Sequence, residues 1–100
     1  MNIIKINQTK TAVTYNLEGR LDTTTAPLLE TELKAVPDNI TELVLNFKTL
    51  DYISSAGLRV LLVIHKIMIR RGGSLVITGA NEVVKEIFEV TGFSDILTIK

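Results

Sequence analysis

The sequence predicts an α/β domain built on a mixed, largely parallel β-sheet. Short runs of β-branched and apolar residues alternate along the chain with segments whose apolar residues recur at helical spacing. Turn residues and glycines separate these segments, and the predicted order is β-β-α-β-α-β-α-β. Strands joined through a helix run parallel, whereas strands joined by a short turn run antiparallel. One hundred residues, 46% of them hydrophobic, are enough for a single domain, residues 1–100, with one core.

The first half of the chain begins with a predicted hairpin. Residues 2–6 and 11–18 are rich in β-branched residues, and a polar turn separates them. Side-chain oxygens in residues 22–25 offer a helix start, and apolar residues then recur at helical spacing over residues 29–36. Residues 43–47 are a short apolar run of the kind that is buried in parallel sheets.

The second half contains two more predicted helices. One begins near Ser55 and ends before Gly72, and the next is capped by Asn81. Residues 75–78 and 96–99 supply the remaining strands. Right-handed crossovers would put consecutive helices on one face of the sheet unless the strand order reverses. The pattern therefore leaves open whether the helices cover one face or both.

The composition argues against several classes of function. Lys plus Arg and Asp plus Glu each total 11, so the chain lacks the positive excess that nucleic-acid binding needs. With no cysteine and one histidine, His65, it cannot assemble a typical zinc site, and no nucleophile turn accompanies His65. There is neither a signal peptide nor an apolar run of about 18 residues. We expect no catalytic residue, metal, cofactor, nucleic acid or membrane insertion, and a cytoplasmic location.

The junction between residues 43–47 and the second helix is the most informative segment. Ser55 is placed to cap the helix, because its hydroxyl can accept a hydrogen bond from a free N–H group of the first turn. A cap needs no further function. A helix N-terminus also favours a dianionic group, and the small Ala56 and Gly57 would leave the hydroxyl accessible. The residues are thus consistent with a simple cap or with a modification site.

The helix after Ser55 is more apolar than an ordinary surface helix. Only Arg59, Lys66 and Arg70 form a clearly polar stripe when the residues are projected around the helix axis. The surplus of apolar residues predicts either a helix buried on two sides or an exposed docking patch beside Ser55.

These segments resemble the STAS domains of anti-sigma factor antagonists. The resemblance lies in residues 43–58, which end in Ser54-Ser55-Ala56-Gly57-Leu58, and in Gly19-Arg20-Leu21-Asp22 with the threonines that follow. Further matches are Gly72-Gly73 and residues 90–93, so that the resemblance covers nearly the whole chain. It implies a single-domain STAS-like fold.

The resemblance also implies a switch in the control of an alternative sigma factor. The unmodified family protein binds an anti-sigma factor that is a GHKL-type serine/threonine kinase, and the sigma factor is released. Phosphorylation of the serine two residues before the motif's glycine, here Ser55, abolishes binding, and a serine phosphatase restores it. The residues implied in partner binding are Asp22, Thr23, Thr24, Ser54, Ala56, Gly57, Leu58 and Arg59.

Two positions depart from the family pattern. Ser54 stands where many members carry aspartate, which makes Ser54 a second candidate phosphoacceptor. Arg59 stands where many members have a small residue. It lies one turn from Ser55 and either pairs with a phosphate there or is a solvated side chain of the polar stripe.

The second function that remains open is an adaptor. STAS domains resembling this chain serve as subunits of transport or other signalling complexes, in which the serine would only cap the helix. The sequence is consistent with a monomer or a weak dimer, since an apolar patch could pair with itself.

Overall fold

The computed structural model describes all 100 residues. It contains five strands and three α-helices, with one 3₁₀ turn, Phe93–Asp95. The strands are β1 (Asn2–Gln8), β2 (Ala12–Leu21), β3 (Glu42–Ile53), β4 (Ser74–Thr78) and β5 (Thr98–Ile99). The helices are α1 (Ala26–Lys34), α2 (Ser55–Arg70) and α3 (Glu82–Val90). This element order confirms the predicted β-β-α-β-α-β-α-β pattern.

The five strands form one sheet in sequential order, β1-β2-β3-β4-β5. β1 is antiparallel to β2, and the other neighbours are parallel. Because the order never reverses, right-handed crossovers place the three helices on the same face. One cluster of 25 buried residues joins the strands to all three helices, and the rings of Phe47 in β3 and Phe88 in α3 stack at 6.3 Å. The question that the sequence left open is thus answered by a one-sided helix layer.

β2 and β3 both extend further than the sequence pattern predicts. β2 continues past Gly19 to Leu21, and β3 continues well past residue 47 to Ile53. The apolar alternation of β3 breaks at the exposed Lys48 and Thr49, where the β2–β3 register also shifts. Parallel pairing with β2 sustains the strand beyond that break. β5 is shorter than predicted, because residues 96 and 97 belong to the turn before it.

The ends of α2 and α3 agree with the sequence signals. The chain turns away from α2 at Gly72, which has φ +75°. Glycine adopts this left-handed conformation without steric cost. At the start of α3, Asn81 Oδ1 accepts a hydrogen bond from the Val84 N–H at 2.8 Å. The same side chain donates to the Leu50 carbonyl at 3.2 Å, which ties α3 to the end of β3.

Burial on two sides accounts for most of the surplus apolar surface of α2. The helix packs against α1 on one flank and against β3 and β4 beneath it. Val60, Leu61, Ile64 and Met68 are all buried there. The large apolar side chain that α2 leaves exposed is Ile69, at the end of the helix opposite Ser55. None of the three α-helices is both long and apolar enough to cross a membrane.

Arg71, just after α2, holds the connection between α1 and β3. Its guanidinium donates to the carbonyls of Pro37 (2.9 Å), Val36 (3.1 Å) and Ile40 (3.2 Å), and its side chain is only 15% exposed. It also contacts the fully exposed carboxylate of Asp38 at 3.4 Å. The planar fork of an arginine suits several carbonyls at once, which a lysine ammonium cannot match.

We expect Arg71→Met to lower the free energy of unfolding by about 2 kcal/mol, because three carbonyls lose a charged donor. Arg71→Lys should restore only part of that loss. The exposed Arg59→Ala is the matched control and should change stability by less than about 0.5 kcal/mol. Urea unfolding followed by circular dichroism measures all three, and a wild-type stability for Arg71→Lys would contradict the role of the fork.

Candidate functional site at the carboxyl ends of β2 and β3

The predicted site residues lie at the carboxyl ends of two neighbouring parallel strands. Leu21, the last residue of β2, is paired with Ile53, the last residue of β3. The Ser54 N–H donates to the Leu21 carbonyl at 2.8 Å, so the pairing extends one residue past both strands. The loop that begins at Asp22 and the start of α2 therefore leave the sheet side by side.

Asp22 organises the loop between β2 and α1. Its Oδ1 accepts hydrogen bonds from the Thr24 hydroxyl (2.8 Å), the Thr24 N–H (3.0 Å) and the Thr25 N–H (3.2 Å). The Thr25 hydroxyl donates to the Arg20 carbonyl at 2.8 Å. Thr25 occupies the N-cap position of α1, yet its side chain makes no capping bond. The predicted helix start is therefore a self-bonded turn that leaves Thr23 and Thr24 exposed.

These hydrogen bonds act on the ionisation of Asp22. The hydrogen bond from the Thr24 hydroxyl is the main reason that the pKa of Asp22 lies below its ordinary value of 3.8. Desolvation opposes this effect and raises the pKa. The N–H groups of Thr24 and Thr25 and the Thr25 hydroxyl lower the pKa by smaller amounts. Donors to a carboxylate favour its charged form. Asp22 is thus a fixed negative charge at neutral pH.

We expect Thr24→Val to raise the pKa of Asp22 towards 3.8, because the largest stabilising donor is removed. Since the folded-state pKa lies below the unfolded one, the stability that Asp22 contributes is present above the unfolded-state value and is lost as pH falls through the folded-state pKa. Carbon-detected NMR of the Asp22 carboxyl gives the pKa directly. The Thr23 hydroxyl makes no bond to Asp22, so Thr23→Val should leave the pKa of Asp22 unchanged. Equal pKa shifts in both variants would contradict the role given to the Thr24 hydroxyl.

Ser54, and not Ser55, caps α2. Ser54 has extended backbone angles, and its Oγ accepts a hydrogen bond from the Gly57 N–H at 3.4 Å. The prediction that Ser55 is the cap is therefore wrong by one residue. The reason is that β3 runs to Ile53 and its pairing holds Ser54 in an extended conformation, so Ser55 becomes the first helical residue. Its hydroxyl is exposed and makes no hydrogen bond within the protein.

Gly57 is required by packing and not by access to the serine. A Cβ atom at this position would lie 2.7 Å from Leu21 Cγ and 2.8 Å from Ile53 Cγ1. The absence of a side chain thus lets α2 begin directly over the ends of β2 and β3. Leu58 is also buried, at 6% exposure. Gly57 and Leu58 offer almost no surface to a partner, so we revise their predicted direct contacts to a supporting role.

We expect the two serines to differ in their effect on stability. Ser54→Ala removes the cap and should cost about 1 kcal/mol. Ser55→Ala changes an exposed, unbonded hydroxyl and should cost less than about 0.5 kcal/mol. Thermal and urea unfolding of the two variants, measured side by side, would reject this assignment if Ser55→Ala were the more destabilised.

A groove of about 450 Å³ connects the Asp22 loop with α2. Thr23 lines it on one side, and Ala56 and Arg59 line it on the other. Arg59 is exposed and forms no ion pair, so its pairing with a phosphate on Ser55 stays a prediction. The remaining lining residues, which sequence reasoning did not select, are Ala26, Pro27, Glu30, Val60 and Val63.

Sequence reasoning also missed a cation–π pair at the same edge of the sheet. The Arg20 guanidinium lies over the Tyr52 ring, 4.5 Å from its centroid, and 3.9 Å from the Asp22 carboxylate. The two residues are register partners in β2 and β3, and that register cannot be read from either segment alone. The pair adds a positive charge beside the negative charge of Asp22.

The arrangement places no imidazole base beside either serine. His65, the only histidine, lies ten residues beyond Ser55 in α2, about 15 Å of helix rise, so it cannot act as a base for either serine. No group of three or more metal-ligating side chains is positioned to hold an ion. What remains is an exposed hydroxyl at the N-terminus of α2, whose first turn contains no acidic residue.

Comparisons with known proteins agree with this fold. Residues 4–100 match the family model of the STAS domain. The chain is 30% identical over 100 residues to the anti-sigma-B factor antagonist of Bacillus subtilis (strain 168). The alignment covers 99% of this chain and 92% of that protein. The chain therefore belongs to the STAS domain family.

Solved structures share the fold at lower sequence identity. The anti-sigma factor antagonist SpoIIAA in its unphosphorylated form has a TM-score of 0.79 at 16% identity, with 99% of this chain and 87% of that chain covered. The phosphorylated form of SpoIIAA from Bacillus has a TM-score of 0.77 at 16% identity, with 99% of this chain and 91% of that chain covered. A sulfate transporter family protein from Wolinella succinogenes also gives 0.77 at 19%, with 86% and 70% covered.

Proposed function

We propose that this protein is an anti-sigma factor antagonist whose unphosphorylated form binds an anti-sigma factor kinase and thereby releases a sigma factor. The partner in this proposal is a GHKL-type serine/threonine kinase in the cytoplasm, and a serine phosphatase reverses the modification. The observation that carries the proposal is the exposed, unbonded hydroxyl of Ser55 in the first turn of α2, beside the Asp22 loop. The name of the Bacillus subtilis relative supports the same class of function.

The start of α2 is suited to a phosphate on Ser55. The first-turn N–H groups of a helix lack partners within the helix, and they favour a nearby anion. No acidic residue in that turn opposes it. Because the Ser55 side chain is exposed and takes no part in the core, its modification leaves the fold intact.

The same phosphate is unfavourable in a complex. It adds about −1.5 to −2 charges, which a partner would have to desolvate or pair on covering this surface. The surface already holds the ionised Asp22 carboxylate beside the end of β3. Binding is thus switched off by local charge, without unfolding of either protein.

Ser55 is favoured over Ser54 as the phosphoacceptor. The Ser54 hydroxyl is half-buried and accepts the capping bond from Gly57, so a kinase would have to break the start of α2 to reach it. Ser55 has no such constraint. In the proposal the partner contacts the exposed Asp22 loop at Thr23 and Thr24, and α2 at Ala56 and Arg59; Gly57 and Leu58 support these residues from below.

We expect the protein, incubated with ATP and with a GHKL-type anti-sigma factor kinase that binds it, to acquire one phosphate on Ser55. Ser55→Ala should bind the kinase with unchanged affinity but accept no phosphate. Ser55→Asp should bind at least about tenfold more weakly, because it places a charge in the interface. Phosphopeptide mass spectrometry locates the phosphate, and calorimetry measures the affinities.

Ser54→Ala is the matched control, and it should still be phosphorylated on Ser55. A phosphate found on Ser54 would reject the assignment of the acceptor. Equal affinities of Ser55→Ala and Ser55→Asp would reject the electrostatic switch. No phosphate on either serine, although the kinase binds, would reject the phospho-switch as a whole.

The likeness to a sulfate transporter family protein favours a second candidate, a STAS adaptor that is not phosphorylated. In that case Ser54 only caps α2, and the groove beside Arg59 is a constitutive interface. The two functions differ in one measurable respect. In an adaptor whose interface does not include Ser55, the Ser55→Ala and Ser55→Asp variants bind the partner complex with equal affinity.

A further inference from the structure

Most of the large apolar side chains that the fold leaves exposed lie between residues 69 and 96. Four of the seven large exposed hydrophobic residues lie on the last turn of α2, on α3 and in the turn that follows α3. They are Ile69 (55% exposed), Val83 (54%), Val90 (76%) and Ile96 (46%). Scattered single apolar residues need no explanation, but a concentration of this kind marks an interaction surface.

Two of these residues border a positively charged groove. It lies between the C-terminal half of α2 and the turn after α3, with a volume of about 760 Å³. Neither Lys66 nor Arg70 forms an ion pair, and no acidic residue lines the groove. We call it the α2 groove; its residues are Leu62, His65, Lys66, Ile69, Arg70 and Ile96.

The other two lie on a negatively charged side of α3. Val83, Ile87 and Val90 are spaced by four and three residues, so they share one side of the helix, whereas Val84 and Phe88 are buried in the core. Glu86 lies three residues after Val83 and four before Val90, next to both. Neither Glu86 nor Glu89 forms an ion pair, and Glu89 also borders a second depression that is lined by Lys85 and Lys100. We call Val83, Glu86, Ile87, Glu89 and Val90 the α3 face.

The α2 groove and the α3 face complement each other in charge, and both combine that charge with exposed apolar surface. We propose that the protein forms a two-fold symmetric dimer, in which the α3 face of each copy packs into the α2 groove of the other. In a two-fold symmetric dimer the same contact occurs twice, once from each copy, so both α3 faces and both α2 grooves are used. Apolar burial supplies the affinity, and the charge pairs set the orientation.

The α2 groove lies away from Ser55, the proposed phosphoacceptor. Lys66 lies eleven residues after Ser55, about 16 Å further along α2. Each dimer would therefore present two copies of the Ser55 surface to its partners. The proposal does not depend on the proposed function, because it requires neither the kinase nor a phosphate.

Sedimentation velocity of the purified protein from about 1 µM to about 1 mM should show a concentration-dependent change from monomer to dimer. Lys66→Glu combined with Arg70→Glu should weaken the association at least about tenfold, because like charges then meet at both contacts. Glu86→Lys combined with Glu89→Lys should weaken it to a similar extent. An equimolar mixture of the two double variants should associate again, since both contacts then carry opposite charges.

Lys10→Glu combined with Lys48→Glu is the matched control. These exposed lysines lie outside both surfaces, so the double variant should dimerise as wild type does. Amide NMR spectra confirm that each variant is folded. A wild-type monomer at every concentration, failure of the mixture to associate, or loss of the dimer in the control would each overturn the proposal. Assemblies that keep growing beyond the dimer would overturn the two-fold arrangement.

Discussion

The parallel pairing of β2 with β3 continues to the last residue of both strands, where Leu21 lies opposite Ile53. The hydrogen bond from the Ser54 N–H to the Leu21 carbonyl closes this pairing, and the two chain segments leave the sheet next to each other. α2 can start directly above this point only because Gly57 has no side chain to meet Leu21 and Ile53. The proximity of the Asp22 loop to the two serines depends on this strand register and this close approach.

The same constraint gives the two adjacent serines different tasks. The pairing keeps Ser54 extended, and an extended residue before the first helical turn is in the conformation of an N-cap. Ser55 then becomes the first helical residue, with its hydroxyl directed to solvent and its structural role close to none. A residue that contributes little to stability can be modified without damage to the fold, and this is what a regulatory site needs.

α2 connects two chemically different ends of the molecule. Its N-terminal end lies beside the exposed Thr23 and Thr24 and the charges of Asp22 and Arg59. Its C-terminal end carries Ile69 between Lys66 and Arg70 beside an open groove. The chain is neutral as a whole, yet its positive and negative charges are separated between α2 and α3.

The order of the elements, the cap of α3 by Asn81 and the end of α2 before Gly72 could all be read from the sequence, because each depends on neighbours a few residues away. The lengths of β2 and β3 could not be read in this way, since pairing between distant strands sustains them after the apolar alternation fails. For the same reason the sequence predicts a cap at Ser55, whereas the structure has the cap at Ser54.

The amino-acid sequence by itself determined the class of fold and the segment in which the candidate site lies, because periodicity and local motifs are properties of short stretches of chain. Only the tertiary structure decided which serine is bonded, which motif residues are buried and where the apolar surface of α2 remains exposed. Those properties depend on what packs against each residue across the sheet and the helix layer. The sequence thus makes Ser55 a candidate phosphoacceptor, and the fold leaves its side chain accessible.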